Sequence, residues 1–337
     1  MQRVNLGNTG EQVSALCLGS MWMGTATDKA ISWSLLDRFR QAGGNFIDTA
    51  NCYAWWAGPQ FNGDESENVV GEWMQARGAR EEVFLATKVG ARPRHPQRLW
   101  DRDGNADWER APSEFEYLSP AAIRSAIEGS LRRLHTETID LYYVHIDDRS
   151  TPQEETLYAL DCLVQEGKAR YVACSNLRTW RLERARGISV ARGWAPFVAI
   201  QQEYSYFRPR PGADFGVDLH ADDELLDYLR ANPEVALVAY SPLLKGIYDD
   251  PEKRERFYNW HWFNTADNLA RLETLSVMAR QLGVSNNQLV LAWLLHHPRP
   301  QVIPILGASS LAQMEHNLEA LSIRLDPGQM ETLDRAG

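Results

Sequence analysis

Cysteine is scarce in this 337-residue chain. The four present, Cys17, Cys52, Cys162 and Cys174, form neither a CxxC pair nor a metal-ligand spacing. No disulfide framework or zinc site is therefore expected, and each reads as a reduced, buried thiol. Long apolar runs are also missing, so no bilayer-spanning segment is expected, and the opening Met1-Gln2-Arg3-Val4-Asn5 does not resemble a signal peptide. The expected location is the cytoplasm, with no membrane partner. Positive charge is in deficit: 35 Lys and Arg against 45 Asp and Glu give a net charge of −10. Nonspecific nucleic-acid binding, which needs clustered cations to neutralise phosphates, is thereby disfavoured. The chain also lacks a proline-rich or low-complexity linker. Length alone suggests two domains, but α/β barrels routinely build a core this large, and one domain over residues 1–337 is the reading.

Eight short apolar runs are present, separated by segments of helical period: Leu16–Gly19, Asn45–Ala50, Val83–Gly90, Ile139–His145, Ala169–Asn176, Phe197–Tyr204, Val235–Pro242 and Gln301–Gly307. Repeated βα units make a parallel sheet. A doubly wound sheet would carry a G-x-G-x-x-G after its first strand, and none occurs, so a (β/α)8 barrel is predicted. Val4 to Val13, turning through Gly7-Asn8-Thr9-Gly10, reads as an N-terminal β-hairpin that plugs one end. Helix starts are marked at Ser119-Pro120 and by capping boxes at Thr151–Glu154, Ser285–Gln288 and Ser310–Gln313; Gly43, Gly167 and Gly283 mark helix stops. Three connections after strands, 91–118, 205–221 and 246–264, are longer than a barrel needs and rich in aromatics. All three belong at the C-terminal face, where long ordered loops are usually functional.

Polar residues gather at or just past the ends of three successive runs: Asp48 and Tyr53 at the second, Lys88 at the third, His145 at the fourth. Singly, each has an ordinary structural explanation, as a turn former, a snorkelling lysine or a core histidine. Barrel topology places them on one face, and together they suit proton donation during carbonyl reduction. A phenol titrates near about 10, and an adjacent ammonium favours its anion and eases proton release. Lys88 would supply that charge, Asp48 would pair with the lysine, and His145 would donate a hydrogen bond to a carbonyl oxygen.

The segments Gly44-Asn45-Phe46-Ile47-Asp48-Thr49-Ala50 with Tyr53, Thr87-Lys88 and Tyr143-Val144-His145 resemble the signature segments of the aldo-keto reductase superfamily. So does the opening, Leu6-Gly7-Asn8-Thr9-Gly10 with Leu18-Gly19-Ser20-Met21. The resemblance covers nearly the whole chain and implies reduction of a small-molecule aldehyde or ketone by NADPH, with NADH as the other possible cofactor. It makes Tyr53 the general acid, tuned by Lys88 and Asp48, with His145 positioning the carbonyl. It assigns Ser175, Asn176 and Gln201 to the nicotinamide carboxamide, Tyr240 to stacking on the ring, and Ser241, Pro242 and Leu243 to the pyrophosphate. Gly307, Ser309, Ser310, Gln313 and Asn317 then form the adenosine and 2′-phosphate site, where a helix N-terminus favours an anion. Many members carry an arginine or lysine close to the Ser310 position; here it is missing, and Lys245 is the candidate replacement. The stretch after Tyr53, Ala54 to Gly63, is longer than in relatives. Trp22, with Trp55 and Trp56, is expected to line the substrate pocket, whether for apolar carbonyl compounds or sugars. His145-Ile146-Asp147-Asp148 and His261 lack metal-site spacing, so no metal is expected. The alternative function implied by the resemblance is a nicotinamide-binding regulatory subunit without significant turnover.

Overall fold

The computed structural model describes residues 1–337. Strands β1 (Arg3–Asn5) and β2 (Gln12–Ser14) pair antiparallel, with Val4 opposite Val13. Gly7 in the turn between them has a φ of 53°, and a Cβ there would lie 2.3 Å from the carbonyl oxygen of Glu234. Glycine is required on both counts, and the hairpin can seat against the chain at that point only because no side chain intervenes.

Eight strands follow, each inside one of the eight apolar runs: β3 (Cys17–Gly19), β4 (Phe46–Asp48), β5 (Phe84–Val89), β6 (Ile139–Val144), β7 (Ala169–Ser175), β8 (Phe197–Glu203), β9 (Ala236–Tyr240) and β10 (Val302–Leu306). They close into a barrel in the order β10-β3-β4-β5-β6-β7-β8-β9, every pair parallel. The expected (β/α)8 architecture with its N-terminal hairpin is the one observed.

Side chains alternate across each strand. The inward set, including Phe46, Phe84, Ala86, Leu141, Tyr143, Ala173, Ala199 and Val238, forms one cluster, closed at its lower end by Leu6 and Val13 of the hairpin region. Phe46 and Phe84 meet edge to face with centroids 5.3 Å apart. The outward set, such as Ile47, Leu85, Tyr142, Val172, Ile200 and Leu237, packs in the larger core beneath the helices. Both faces of the barrel strands are buried almost throughout, Arg170 in β7 being the exposed position, which is why the runs read as mostly apolar.

Ser119 caps its helix at Ala122 N, and Ser285 with Gln288 forms a complete capping box. Two expected boxes differ. The helix Gln153–Gln165 starts without a side-chain cap; the Asp148 carboxylate accepts from the backbone N–H groups of Ser150 and Thr151, which precede the helix. At Ser310 the cap forms, but the Gln313 side chain reaches back one residue further, to Ser309 N. Cys162 is also only half-buried, unlike the other three thiols.

The three long loops lie at the C-terminal ends of their strands. The 205–221 loop returns to the end of β8, where Ala221 N donates to Glu203 O at 2.8 Å. In the 246–264 loop, Phe257, Trp260 and Phe263 turn into the main core, so only part of its aromatic content is free for a pocket mouth. No helix is long and apolar enough to cross a membrane.

Candidate active site

The inward face of the barrel changes character toward its upper end. Continuing by twos along the strands, Phe46 leads to Asp48, Ala86 to Lys88, Tyr143 to His145, Ala173 to Ser175, Ala199 to Gln201 and Val238 to Tyr240. The alternation that builds the interior therefore also aims these polar groups at its mouth. In the ladder, Asp48 lies beside Ala86 and Lys88 beside Tyr143.

Lys88 is fully buried and Asp48 is 1% exposed. The ammonium donates to Asp48 Oδ1, to Tyr53 Oη at 2.5 Å and to the carbonyl oxygen of Thr49 at 2.9 Å. Its three protons thus meet three oxygens, which is how a dry pocket tolerates the charge. Tyr53 comes from the loop after β4, and its hydroxyl donates to Asp48 Oδ1 at 3.2 Å. The second Asp48 oxygen accepts from Gln201 Nε2 at 2.9 Å. The rings of Tyr53 and His145 meet edge to face with centroids 5.8 Å apart. All four predicted catalytic side chains converge.

Electrostatics correct one expectation. Burial, with the nearby Asp48 carboxylate, pushes the Tyr53 phenol well above its ordinary value near 10. The lowering expected from Lys88 does not prevail at rest, because removing a phenolate from water costs more than one ammonium, already paired, returns. The phenol is stored protonated, as an acid must be. Burial and the Lys88 charge lower His145 well below its usual 6.5, leaving a neutral imidazole.

The residues assigned to the carboxamide lie beside this cluster and bond to one another. Ser175 Oγ donates to the carbonyl oxygen of Gln201. Asn176 Nδ2 donates to His145 O at 3.1 Å, while Asn176 Oδ1 accepts from Leu219 N at 2.9 Å and from Tyr240 Oη at 3.0 Å. Ser241, which has a positive φ, leads into Pro242, Leu243 and Lys245. Lys245 borders a cleft of about 340 Å³ with Lys253, Arg256 and Tyr258. The surrounding protein and the Lys253 ammonium hold Lys245 below its ordinary value. At the far end, Ser309, Ser310 and Gln313 are exposed around the start of the helix Leu311–Leu318, just after Gly307. Asn317 is buried there, and its Nδ2 has no partner.

Trp22 and Trp56 meet edge to face, 6.1 Å apart. Trp55 is only 1% exposed and packs with Leu99 and Phe115, so it backs the wall rather than lining a pocket as expected. Its place at the surface is taken by Trp108, 54% exposed and 5.3 Å from Trp56. Sequence reasoning read Trp108 only as one aromatic of the 91–118 loop and Cys52 only as a buried thiol, and gave Lys253 no role. Trp108 sits in a long loop with no regular period to aim it and Lys253 on a single-turn helix, Pro251–Glu255, inside another, whereas Cys52 directly precedes Tyr53 and was legible by position. No three His, Cys, Asp or Glu side chains cluster as a metal site would require.

Comparison with known proteins points to one family. The model of the Aldo/keto reductase family matches residues 15–337. The chain is 32% identical over 331 residues to the uncharacterized oxidoreductase YrpG of Bacillus subtilis (strain 168), covering 97% of this chain and 93% of that protein. It is 31% identical over 340 residues to an aryl-alcohol dehydrogenase [NADP(+)] of Phanerodontia chrysosporium, covering 96% and 81%. Among solved structures, the thermostable aldo-keto reductase Tm1743, in complex with the inhibitor epalrestat, superposes with a TM-score of 0.72 at 28% identity, covering both chains completely.

Proposed function

This chain belongs to the aldo/keto reductase family, and we propose that it is a single-domain, cytoplasmic enzyme that reduces an aryl aldehyde or ketone to the alcohol with NADPH. The family relationship makes it an oxidoreductase of small-molecule carbonyl compounds. The observation that carries the finer reading is the 2.5 Å contact between Lys88 Nζ and Tyr53 Oη, beside His145.

A reduced nicotinamide, when bound, supplies the hydride. Tyr53 is the group that gives a proton to the carbonyl oxygen. Its phenolate, costly in this buried site, forms beside an ammonium already in bonding range, so the stabilisation appears as the charge develops. Asp48 holds Lys88, and Gln201 holds Asp48. Neutral His145 donates a hydrogen bond to the same oxygen and orients the carbonyl.

The donor set fits a nicotinamide dinucleotide. Asn176 bonds to Ser175, to Tyr240 and to the His145 carbonyl, so these groups stand together beside the catalytic histidine; for Asn176, holding the carboxamide means exchanging bonds it makes to Leu219 and Tyr240. The unpartnered Asn317 amide, with Gln313, suits a purine, and Ser309 and Ser310 at the helix start suit a phosphate. Burial and the nearby Lys253 ammonium lower Lys245, a shift that a bound dianion would relieve, which favours NADPH over NADH. Trp22, Trp56 and Trp108 offer indole surfaces to a flat apolar substrate, and the aryl-alcohol dehydrogenase relative points to the same class.

The test is stopped-flow mixing of the NADPH-loaded protein with a panel of aryl aldehydes and ketones. Wild type should oxidise the cofactor, and Tyr53→Phe should lose at least ~100-fold in turnover while titrating NADPH fluorescence unchanged. Cofactor binding with no oxidation by any carbonyl would replace this reading with that of a regulatory subunit.

A further inference from the structure

Cys52 is buried, 2% exposed, and its Sγ lies 3.5 Å from Nδ1 of His145. Everything else about His145 is fixed by other groups. Its N–H donates to Val89 O at 2.8 Å, its carbonyl accepts from Asn176 Nδ2, and its ring rests against Tyr53. The thiol is the one side-chain partner of the imidazole nitrogens.

We propose that Cys52 is a positioning residue: its S–H donates to His145 Nδ1 and fixes the imidazole as the tautomer whose proton is on Nε2, leaving that N–H for the substrate oxygen. A neutral imidazole has a single N–H, so what its Nδ1 does decides what its Nε2 can do. Burial and the Glu116 charge push the Cys52 thiol up to about 12, which keeps it in the S–H form. Between a thiol and a neutral imidazole the bond runs S–H to nitrogen, because imidazole nitrogen is a good acceptor and sulfur a poor one. The role rests on the reading of His145 as donor to the carbonyl, but the tautomer can be read without any substrate.

Long-range ¹H–¹⁵N correlation spectra of histidine-labelled protein, with His145 assigned from His145→Gln, distinguish the two tautomers directly. Wild type and Cys52→Ser should show His145 protonated at Nε2. Cys52→Ala and the closer-fitting Cys52→Val should show a mixture. In turnover, Ala and Val should lower kcat roughly 3- to 10-fold at unchanged KM for NADPH, and Ser should restore it. A wild-type proton on Nδ1 overturns the proposal, as does a pure Nε2–H tautomer in both apolar variants. Failure of the enzyme to turn over any carbonyl would overturn the functional reading and leave the tautomer result standing.

Discussion

Gln201 Nε2 donates to Asp48 Oδ2 at 2.9 Å, joining the end of β8 to the end of β4 across the mouth of the barrel. Asp48 is thereby held through both oxygens, one facing Lys88 and Tyr53, the other facing Gln201. A residue assigned to the cofactor is thus also part of what orients the proton donor. The two halves of the site are mechanically continuous.

Lys88→Met leaves the buried Asp48 carboxylate without its ammonium. Loss of one partner from a buried pair costs about 3–5 kcal/mol, so thermal unfolding should move down by several degrees as turnover disappears. Calorimetry of the variant checks this, and an unchanged melting temperature would mean that Asp48 takes up a proton instead.

The pH profile of reduction should be flat across the neutral range. Tyr53 is raised above its ordinary 10, so the acid stays protonated up to at least that pH; His145 is lowered below 6.5, so the imidazole stays neutral above it. Neither group changes state between about 6.5 and 10. Initial rates of kcat/KM over that span provide the measurement, and a break near 7 would mean that His145 is more exposed than its packing implies.

Lys245→Met should weaken NADPH binding roughly 10- to 100-fold, the worth of one charge-assisted hydrogen bond, and leave NADH nearly unaffected. Parallel fluorescence titrations with the two cofactors compare them. Equal losses would place Lys245 at the shared pyrophosphate rather than at the 2′-phosphate.

Glu203 ends β8 almost fully buried, and burial with the Asp218 charge pushes its carboxyl up to about 8, from 4.5. Between those values the folded protein holds a proton that the unfolded chain releases, so stability falls as pH rises through the window. Glu203→Gln should therefore narrow the gap between the melting temperatures at pH 5.5 and pH 8 by a few degrees. A gap as wide as in wild type would assign the pH dependence elsewhere.

The barrel was legible because its signal is local and repeated. Strands buried on both faces must be apolar throughout, and each of the eight runs contains one. Asp48, Lys88 and His145 were legible for a related reason: a strand that alternates inward and outward sends the last inward residue to the mouth whatever the rest of the chain does. Tertiary structure decided what no local pattern encodes. The helix Gln153–Gln165 starts with no side-chain cap; Trp55 is sealed in and Trp108 left out; and the thiol at 52 faces the imidazole at 145. Each depends on where a loop without period comes to rest against a distant element. Even the state of the phenol belonged to the fold, since desolvation is set by the atoms packed around a group and not by its neighbours in sequence.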